Sequence, residues 1–386
     1  MADVQIPDLG EVTQMSTGDF LPFRQTSASL DKRLAWSNLI ANFNTTDPVN
    51  WLAQTAKIQA SVSNTQAVLA VIGDSWVQAG AITQRLNTLL QTDLGNAGDG
   101  YVGIGMSHGA PSSSITYTRV GTWIDVDNYP LPVGRGVDIA DATSTNTATP
   151  AKVTIVGTFN IAIIHYIKMS GGGDFRWRVD AGSWTTVTTA NATEIYATTS
   201  ITGLSTASHT LEIEVSSAGS SGVRLLGVDC QRTANGVRIH RLGNGGATAY
   251  QYANADTTIW QAGLAALSPT SVAILLGTND YGFTPSVFGS YLDTIASRIR
   301  SAVPLADVIF LSSADNGLTG HTYPPSQYRD EMRNAAIRNG GLFIDTYGCI
   351  GNYTDGNTRG LYANSSHPST AGYYVMANRI KSVLAR

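Results

Sequence analysis

The run Val68-Leu69-Ala70-Val71-Ile72, closed by Gly73-Asp74-Ser75, constrains the fold more than any other stretch of the chain. A short, uninterrupted series of apolar residues rich in Val and Ile fits a strand covered on both faces, as in a parallel sheet. Beyond Ser75 the period changes, and Ile82, Leu86, Leu89 and Leu90 recur at helical intervals. Ser75 therefore falls on a strand-to-helix turn at the carboxyl end of a sheet, where open α/β folds place their sites. Backbone N–H groups and the helix dipole favour a developing negative charge there. Taken alone, the tripeptide is explained as well by a turn that caps a helix.

The same pattern returns late in the chain. Val272-Ala273-Ile274-Leu275-Leu276 ends in Gly277-Thr278-Asn279-Asp280. Thr284 and Pro285 open a helix whose inner face is Phe288, Tyr291, Leu292, Ile295 and Ile299. Val308 to Leu311 and Leu342 to Ile344 read as further strands, separated by a helix from about Pro325 to Asn339-Gly340-Gly341. A last helix spans Ser369 to Leu384. Strands alternating with helices imply a parallel sheet in an α/β layer fold.

Between these blocks the period is two. Phe159, Ile161, Ile163 and His165 alternate with other residues, as do Phe175, Trp177 and Val179, and Leu211, Ile213 and Val215. Turn signals at Gly171-Gly172-Gly173-Asp174, Asp180-Ala181-Gly182 and Ser205 to Ser208 separate them, which predicts a β-sandwich. The glycine-rich stretch from Gly95 to Gly109 has no phosphate-cradling spacing and reads as a loop leaving the sheet. Tyr117, Trp123, Trp177, Trp184 and Tyr196 either fill the sandwich core or stack on sugar rings. The expected division is a leader at 1–50, an α/β domain split into 51–109 and 236–386, and a sandwich inserted at 110–235.

Charged residues make up only 13% of the chain and the net charge is −4, which excludes the electrostatic footprint of a nucleic-acid binder. Cys230 and Cys349 lie far apart with no metal spacing and read as two buried thiols. The first residues carry no secretory pattern, and no apolar run is long enough for a membrane span.

Four blocks follow one another in order, each after a strand or before a helix: Gly73-Asp74-Ser75, Gly243-Asn244-Gly245-Gly246, Gly277-Thr278-Asn279-Asp280 and Asn364-Ser365-Ser366-His367-Pro368. The set resembles the SGNH (GDSL-type) hydrolase family over about residues 60–108 and 236–386. The resemblance implies a three-layer, flavodoxin-like α/β fold with Ser75 as nucleophile and His367 as base. The Ser75 and Gly246 N–H groups and the Asn279 amide would form the oxyanion hole, with Asp74, Trp76 and Thr278 beside the substrate; His321 matches no block but, in a loop after the third strand, is expected to line the same cleft. It implies neither a metal nor an organic cofactor. A serine hydroxyl needs such a base, and each oxyanion donor typically accounts for about 10²–10³ in rate.

One position departs from the family. The triad acid normally stands three residues before the histidine, where this chain has Asn364. In a serine protease triad, Asp→Asn costs about 10⁴ in kcat by favouring the wrong tautomer. Three readings follow: a Ser75–His367 dyad oriented by Asn364 or a backbone carbonyl, a carboxylate reaching in from Asp345 or Asp355, or a site that is degenerate or deliberately disabled.

Gly246 lies 171 positions after Ser75, far more than the family usually has. Related phage-tail and bacterial acetylesterases carry an inserted sandwich beside the cleft. The leader, with Asp19-Phe20-Leu21-Pro22 and Trp36-Ser37-Asn38-Leu39, resembles the attachment segments of bacteriophage tail fibres and tailspikes. The resulting expectation is a virion-tail esterase that removes O-acetyl groups from host O-antigen or capsule, with other tail proteins as partners. Its alternatives are a sialate or general esterase and an inactive scaffold that binds glycan.

Overall fold

The computed structural model describes residues 20–23, 32–35, 46–105 and 114–385. In the leader, β1 (Phe20–Phe23) and β2 (Lys32–Ala35) form an antiparallel pair. The Trp36 to Leu39 part of the leader motif lies outside the described residues.

The α/β part begins with α1 (Val49–Gln59), β3 (Gln66–Gly73), the single turn α2 (Ser75–Gln78) and α3 (Ala81–Leu94). A strand-rich block follows. It holds β4 (Gly98–Gly103), β5 (Thr116–Val120), β6 (Ile124–Val126), β7 (Asp141–Ser144), β8 (Lys152–Phe159) and β9 (Ile161–Lys168). It continues through β10 (Asp174–Val179), β11 (Thr185–Thr188), β12 (Ile195–Ile201), β13 (Ala207–Ser217) and β14 (Val223–Gln231). The chain then returns to the α/β pattern with β15 (Gly236–Gly243), α4 (Ala249–Ala253), α5 (Thr257–Leu267), β16 (Ser271–Leu276) and α6 (Pro285–Ala302). It closes with β17 (Asp307–Ser312), α7 (Pro325–Arg338), β18 (Leu342–Ile344), α8 (Tyr347–Ile350), α9 (Tyr353–Thr358) and α10 (Thr370–Leu384).

The parallel sheet has the order β15-β3-β16-β17-β18. Its first strand in the chain, β3, is flanked by its second and third, so the direction of winding reverses beside β3, the switch point of flavodoxin-like sheets. Alternate residues feed two separate cores. Ala70, Ile72, Ile274 and Phe310 pack under α5, α6 and α7. Leu69, Val71, Leu275 and Leu311 pack under α1, α3 and α10. This is the three-layer arrangement implied by the uninterrupted apolar runs. The Thr284 cap, Pro285 at the first turn of α6 and the end of α7 at Asn339 follow the pattern in the sequence.

The strand-rich block forms two antiparallel sheets, β11-β10-β13-β8-β5 and β12-β9-β14-β7-β6, with β4 added on β14. Ile155, Phe175, Ile213, Ile164 and Leu225, drawn from both sheets, share one core. Two expectations need correcting. The glycine-rich stretch is not simply a loop, because Gly98–Gly103 is the buried strand β4. Its glycines permit close backbone approach, and a Cβ on Gly100 would collide with the Ile239 carbonyl of β15. The expected inner face of β9 is also out of phase. Ala162, Ile164 and Tyr166 enter the core, while Ile161 and Ile163 are only half-buried. Between Phe159 of β8 and Ile161 of β9 the chain crosses from one sheet to the other, so the alternation does not run on, and Asn160 at the crossing donates to the Thr206 and Thr233 hydroxyls.

The aromatics of this block are mostly structural. Tyr117, Trp123 and Trp177 pack against the core, the Tyr196 hydroxyl lies 2.5 Å from His165 Nδ1, and Trp184 lies under the Arg176 and Arg178 guanidiniums. Cys230 is buried and Cys349 half-buried, and both are free thiols. No helix among the described residues is long and apolar enough to cross a membrane.

Register brings the strand ends level. Gly73 pairs with Gly243 on one side and with Leu275 on the other. A Cβ on Gly73 would meet the Val77 side chain and stand 2.7 Å from the Leu275 carbonyl. Gly73→Ala therefore overpacks the strand end and lowers stability by about 1–3 kcal/mol, read as a lower urea midpoint. An unchanged midpoint would mean that these strand ends separate freely.

Candidate active site

Because the ends of β3, β15 and β16 are level, Ser75, the Gly243–Ala247 loop and the Gly277–Asn279 loop leave the sheet along one edge. Ser75 opens α2, and its neighbour Asp74 caps that turn by accepting from the Trp76 N–H at 2.8 Å. His367 arrives from the opposite end of the chain on the segment before α10, which Ser369 caps. Ser75 Oγ lies 2.9 Å from His367 Nε2.

The histidine segment is held from two sides. Trp76 Nε1 donates to the Ser366 carbonyl at 2.9 Å, and the Gly317 N–H donates to the Ser365 carbonyl at 2.8 Å. Asn364 Oδ1 accepts from the Ser366 and His367 N–H groups, each at 2.9 Å, and lies 3.3 Å from His367 Nδ1. Ser366 Oγ is nearer to that nitrogen, at 2.8 Å. Neither carboxylate considered as a substitute acid reaches the ring. Asp345 accepts from Ser312 Oγ and the Gly348 N–H, and Asp355 from the Asn352 side chain.

The opposite wall is the Gly243–Ala247 loop. Asn244 N–H donates to the Gly73 carbonyl at 2.9 Å, and the Tyr252 hydroxyl proton is shared between the Gly73 and Leu242 carbonyls. Gly246 has φ of +77°. Neither its N–H nor that of Ser75 has a protein acceptor among the described residues. Asn279 Nδ2 gives one hydrogen bond to the Ala247 carbonyl at 3.0 Å, and its second N–H remains. The Ser75 and Gly246 N–H groups and one Asn279 N–H thus remain as donors along this edge of the sheet.

The strand-rich block takes part in this wall. Asn128 Nδ2 donates to the Gly245 carbonyl at 2.6 Å, and Asn244 Nδ2 donates to the Asp138 carbonyl at 3.0 Å. Asp280 joins the loops beneath, with Oδ1 accepting from the Ala249 N–H and Oδ2 from the Gly277 N–H. Burial pushes the Asp280 carboxyl up to about 8, against the pull of those two donors, and the nearby Asp74 carboxyl raises it further. Burial likewise lifts Asp74 to about 7.

Of the four residues expected beside the substrate, Asp74 and Trp76 make hydrogen bonds that hold the surrounding segments. Asp74, Trp76 and Thr278 are buried, the first as a helix cap and the second as the strut under Ser366. The Thr278 hydroxyl is buried without a hydrogen-bond partner. His321 is half-buried, bonds Asn316 Oδ1 at 2.8 Å and meets the Tyr281 ring edge-on beside the Asn279 loop. Ser366, Asn128 and Asp280 were not singled out as site residues from the sequence. Ser366 and Asp280 lie within two of the four blocks, whereas Asn128 lies 117 positions from Gly245 and leaves no local signal. No group of three or more His, Cys, Asp or Glu among the described residues could hold a metal.

Residues 200–375 match the GDSL-like Lipase/Acylhydrolase family, a span that takes in Gly246, Asn279 and His367 but not Ser75. A solved structure of a peptidoglycan O-acetylesterase is 17% identical, with a TM-score of 0.71 over 87% of this chain and 95% of that chain. That likeness shows a shared fold, and its extent takes in the antiparallel sheets. A family two carbohydrate esterase from Clostridium thermocellum, an active-site mutant in complex with an oligosaccharide, is 15% identical over 68% of this chain and 97% of its own, with a TM-score of 0.30. An alpha/beta hydrolase, LAE5, from the metagenome of Lake Arreo, Spain, is 23% identical over 39% and 73%, with a TM-score of 0.31. No curated protein matches the chain in sequence.

The raised carboxyls make stability pH-dependent. Between about pH 4 and 8 the folded state holds protons that the unfolded state has released, so stability falls as pH rises through that window. Asp280→Asn removes one such group and should flatten the decline, as read by thermal melts from pH 5 to 8. A slope identical to the parent's would show that Asp280 ionises normally.

Proposed function

We propose that the protein is a serine esterase that removes O-acetyl groups from bacterial surface carbohydrate. The observation that carries the reading is the 2.9 Å approach of Ser75 Oγ to His367 Nε2 beside the Gly246 and Asn279 donors. In this reading His367 takes the Ser75 proton as Oγ bonds the acetyl carbon. The Ser75 and Gly246 N–H groups and the Asn279 amide receive the charge that gathers on the carbonyl oxygen. His367 then protonates the departing sugar oxygen. Water, deprotonated by the same imidazole, releases acetate and restores Ser75.

The carbohydrate substrate is supported by the fold shared with a peptidoglycan O-acetylesterase. The finer proposal, action from a virion tail on O-antigen or capsule, rests on the resemblance of the leader to tail-fibre attachment segments. Tail proteins would be its partners there.

A second reading is favoured by Asn364, which offers no charge to the imidazolium: a hydrolase fold that binds acetylated glycan without turning it over. Acetate release from acetylated bacterial polysaccharide, with p-nitrophenyl acetate alongside, separates the two. The esterase reading expects release that disappears in Ser75→Ala and falls about 10²–10³-fold in Asn279→Ala. Glycan binding with no release by the parent would favour the scaffold.

A further inference from the structure

To act as a base, His367 must keep the Nε2 lone pair facing Ser75, so its ring proton must sit on Nδ1 and find an acceptor there. Two groups are within reach, Ser366 Oγ at 2.8 Å and Asn364 Oδ1 at 3.3 Å. The Asn364 oxygen is already occupied. It accepts from two backbone N–H groups at 2.9 Å and from Ser366 Oγ at 3.0 Å. The backbone donors also fix which end of the amide is oxygen, since an NH2 facing them would leave both unpaired. An sp2 oxygen has two lone pairs, so the imidazole is its fourth and most distant donor. The Ser366 hydroxyl has one proton to give and lone pairs to accept with.

We propose that Ser366 is the positioning residue that stands in for the missing triad carboxylate: His367 Nδ1–H donates to Ser366 Oγ, whose O–H donates to Asn364 Oδ1. The assignment rests on the esterase reading of Ser75 and His367. The direction of the chain is set by its far end. Asn364 Oδ1 can only accept, so the Ser366 proton points toward it and the Oγ lone pairs face the ring. That arrangement selects the Nδ1–H tautomer. During acylation the Ser75 proton moves to Nε2 as Oγ bonds the acyl carbon and the carbonyl π pair moves onto oxygen. The Nδ1 proton stays where it is, and no proton travels through Ser366. The main chain of Ser366 is held separately by Trp76 Nε1, so changing its side chain leaves the segment in place.

The test reads tautomer and turnover together. His367 ring nitrogens are followed by ¹⁵N chemical shift, assigned against His367→Ala, in the parent, Ser366→Ala, Ser366→Thr, Asn364→Asp and Ser366→Ala/Asn364→Asp. The parent should show the Nδ1–H form, and Ser366→Ala should move toward Nε2–H. On p-nitrophenyl acetate, Ser366→Ala should lose about 10–100-fold in kcat with KM within about twofold. Ser366→Thr, which keeps the hydroxyl, should stay within about fivefold of the parent. The double variant should recover, because a carboxylate at 364 accepts from Nδ1 directly, and the acid limb of its pH–rate profile should lie at higher pH than the parent's. Parent-like tautomer and kcat in Ser366→Ala would overturn the proposal. Equal losses in Ser366→Ala and Ser366→Thr without rescue by Asn364→Asp would also overturn it, as a packing role. The tautomer is read without turnover, so a parent that fails to cleave the ester counts against the esterase reading while the spectra still decide the role of Ser366.

Discussion

The site depends on one constraint, the burial of β3 between β15 and β16 with its end level with theirs. Pairing of Gly73 with Gly243 and with Leu275 puts three loops at a common height. The hydrophobic faces on either side of the sheet then prevent a slip, because a shift of one residue would exchange Ile72 and Val71 between two different cores. The Gly243–Ala247 and Gly277–Asn279 loops reach the Ser75 edge through this arrangement, while His367 reaches it on the segment that Trp76 supports. The loops are small and rich in glycine, and they carry their donors where the sheet leaves them.

Beneath Ser75 and His367 lies a layer of buried hydrogen bonds. Asp280 binds the start of α4 to the end of β16, Tyr252 spans the Gly73 and Leu242 carbonyls, and Trp76 supports the histidine segment. Such groups are costly to bury and pre-organise the donors above them, which is what oxyanion stabilisation requires. Asp74 illustrates the division of labour. It adjoins the nucleophile in sequence, yet its carboxylate closes the first turn of α2 and never leaves the framework.

The α/β half was legible because its physics is local. Doubly covered strands read as unbroken Val/Ile/Leu runs, helices announce themselves by caps such as Thr284 and Ser369, and Ser75, Asn279 and His367 stand at the ends of those elements. The strand-rich block was legible as antiparallel strands but not in their phase, since the chain changes sheets between β8 and β9 and the alternation restarts there. β4 was misread because glycines that allow close packing look the same in sequence as glycines that make a loop. Asn128 was invisible for a different reason. Its partner Gly245 is a tertiary neighbour, and nothing in either local sequence refers to the other. Asn364 shows the reverse limit. The departure from the family pattern was plain, but its consequence depended on where the Ser366 hydroxyl points.

The split of the α/β half by the strand-rich block also shapes how the chain can fold during synthesis. Both sheet partners of β3 lie beyond residue 235, so the most apolar strand is made long before it has a sheet to join. At about 5–20 residues per second, the intervening stretch takes on the order of ten seconds or more to emerge. The antiparallel sheets can pair among themselves meanwhile, whereas Val68 to Ile72 remains an unpaired apolar strand. A nascent chain arrested before Gly236 therefore presents an aggregation-prone edge that the finished protein conceals, and the order of translation becomes a hazard set by topology alone.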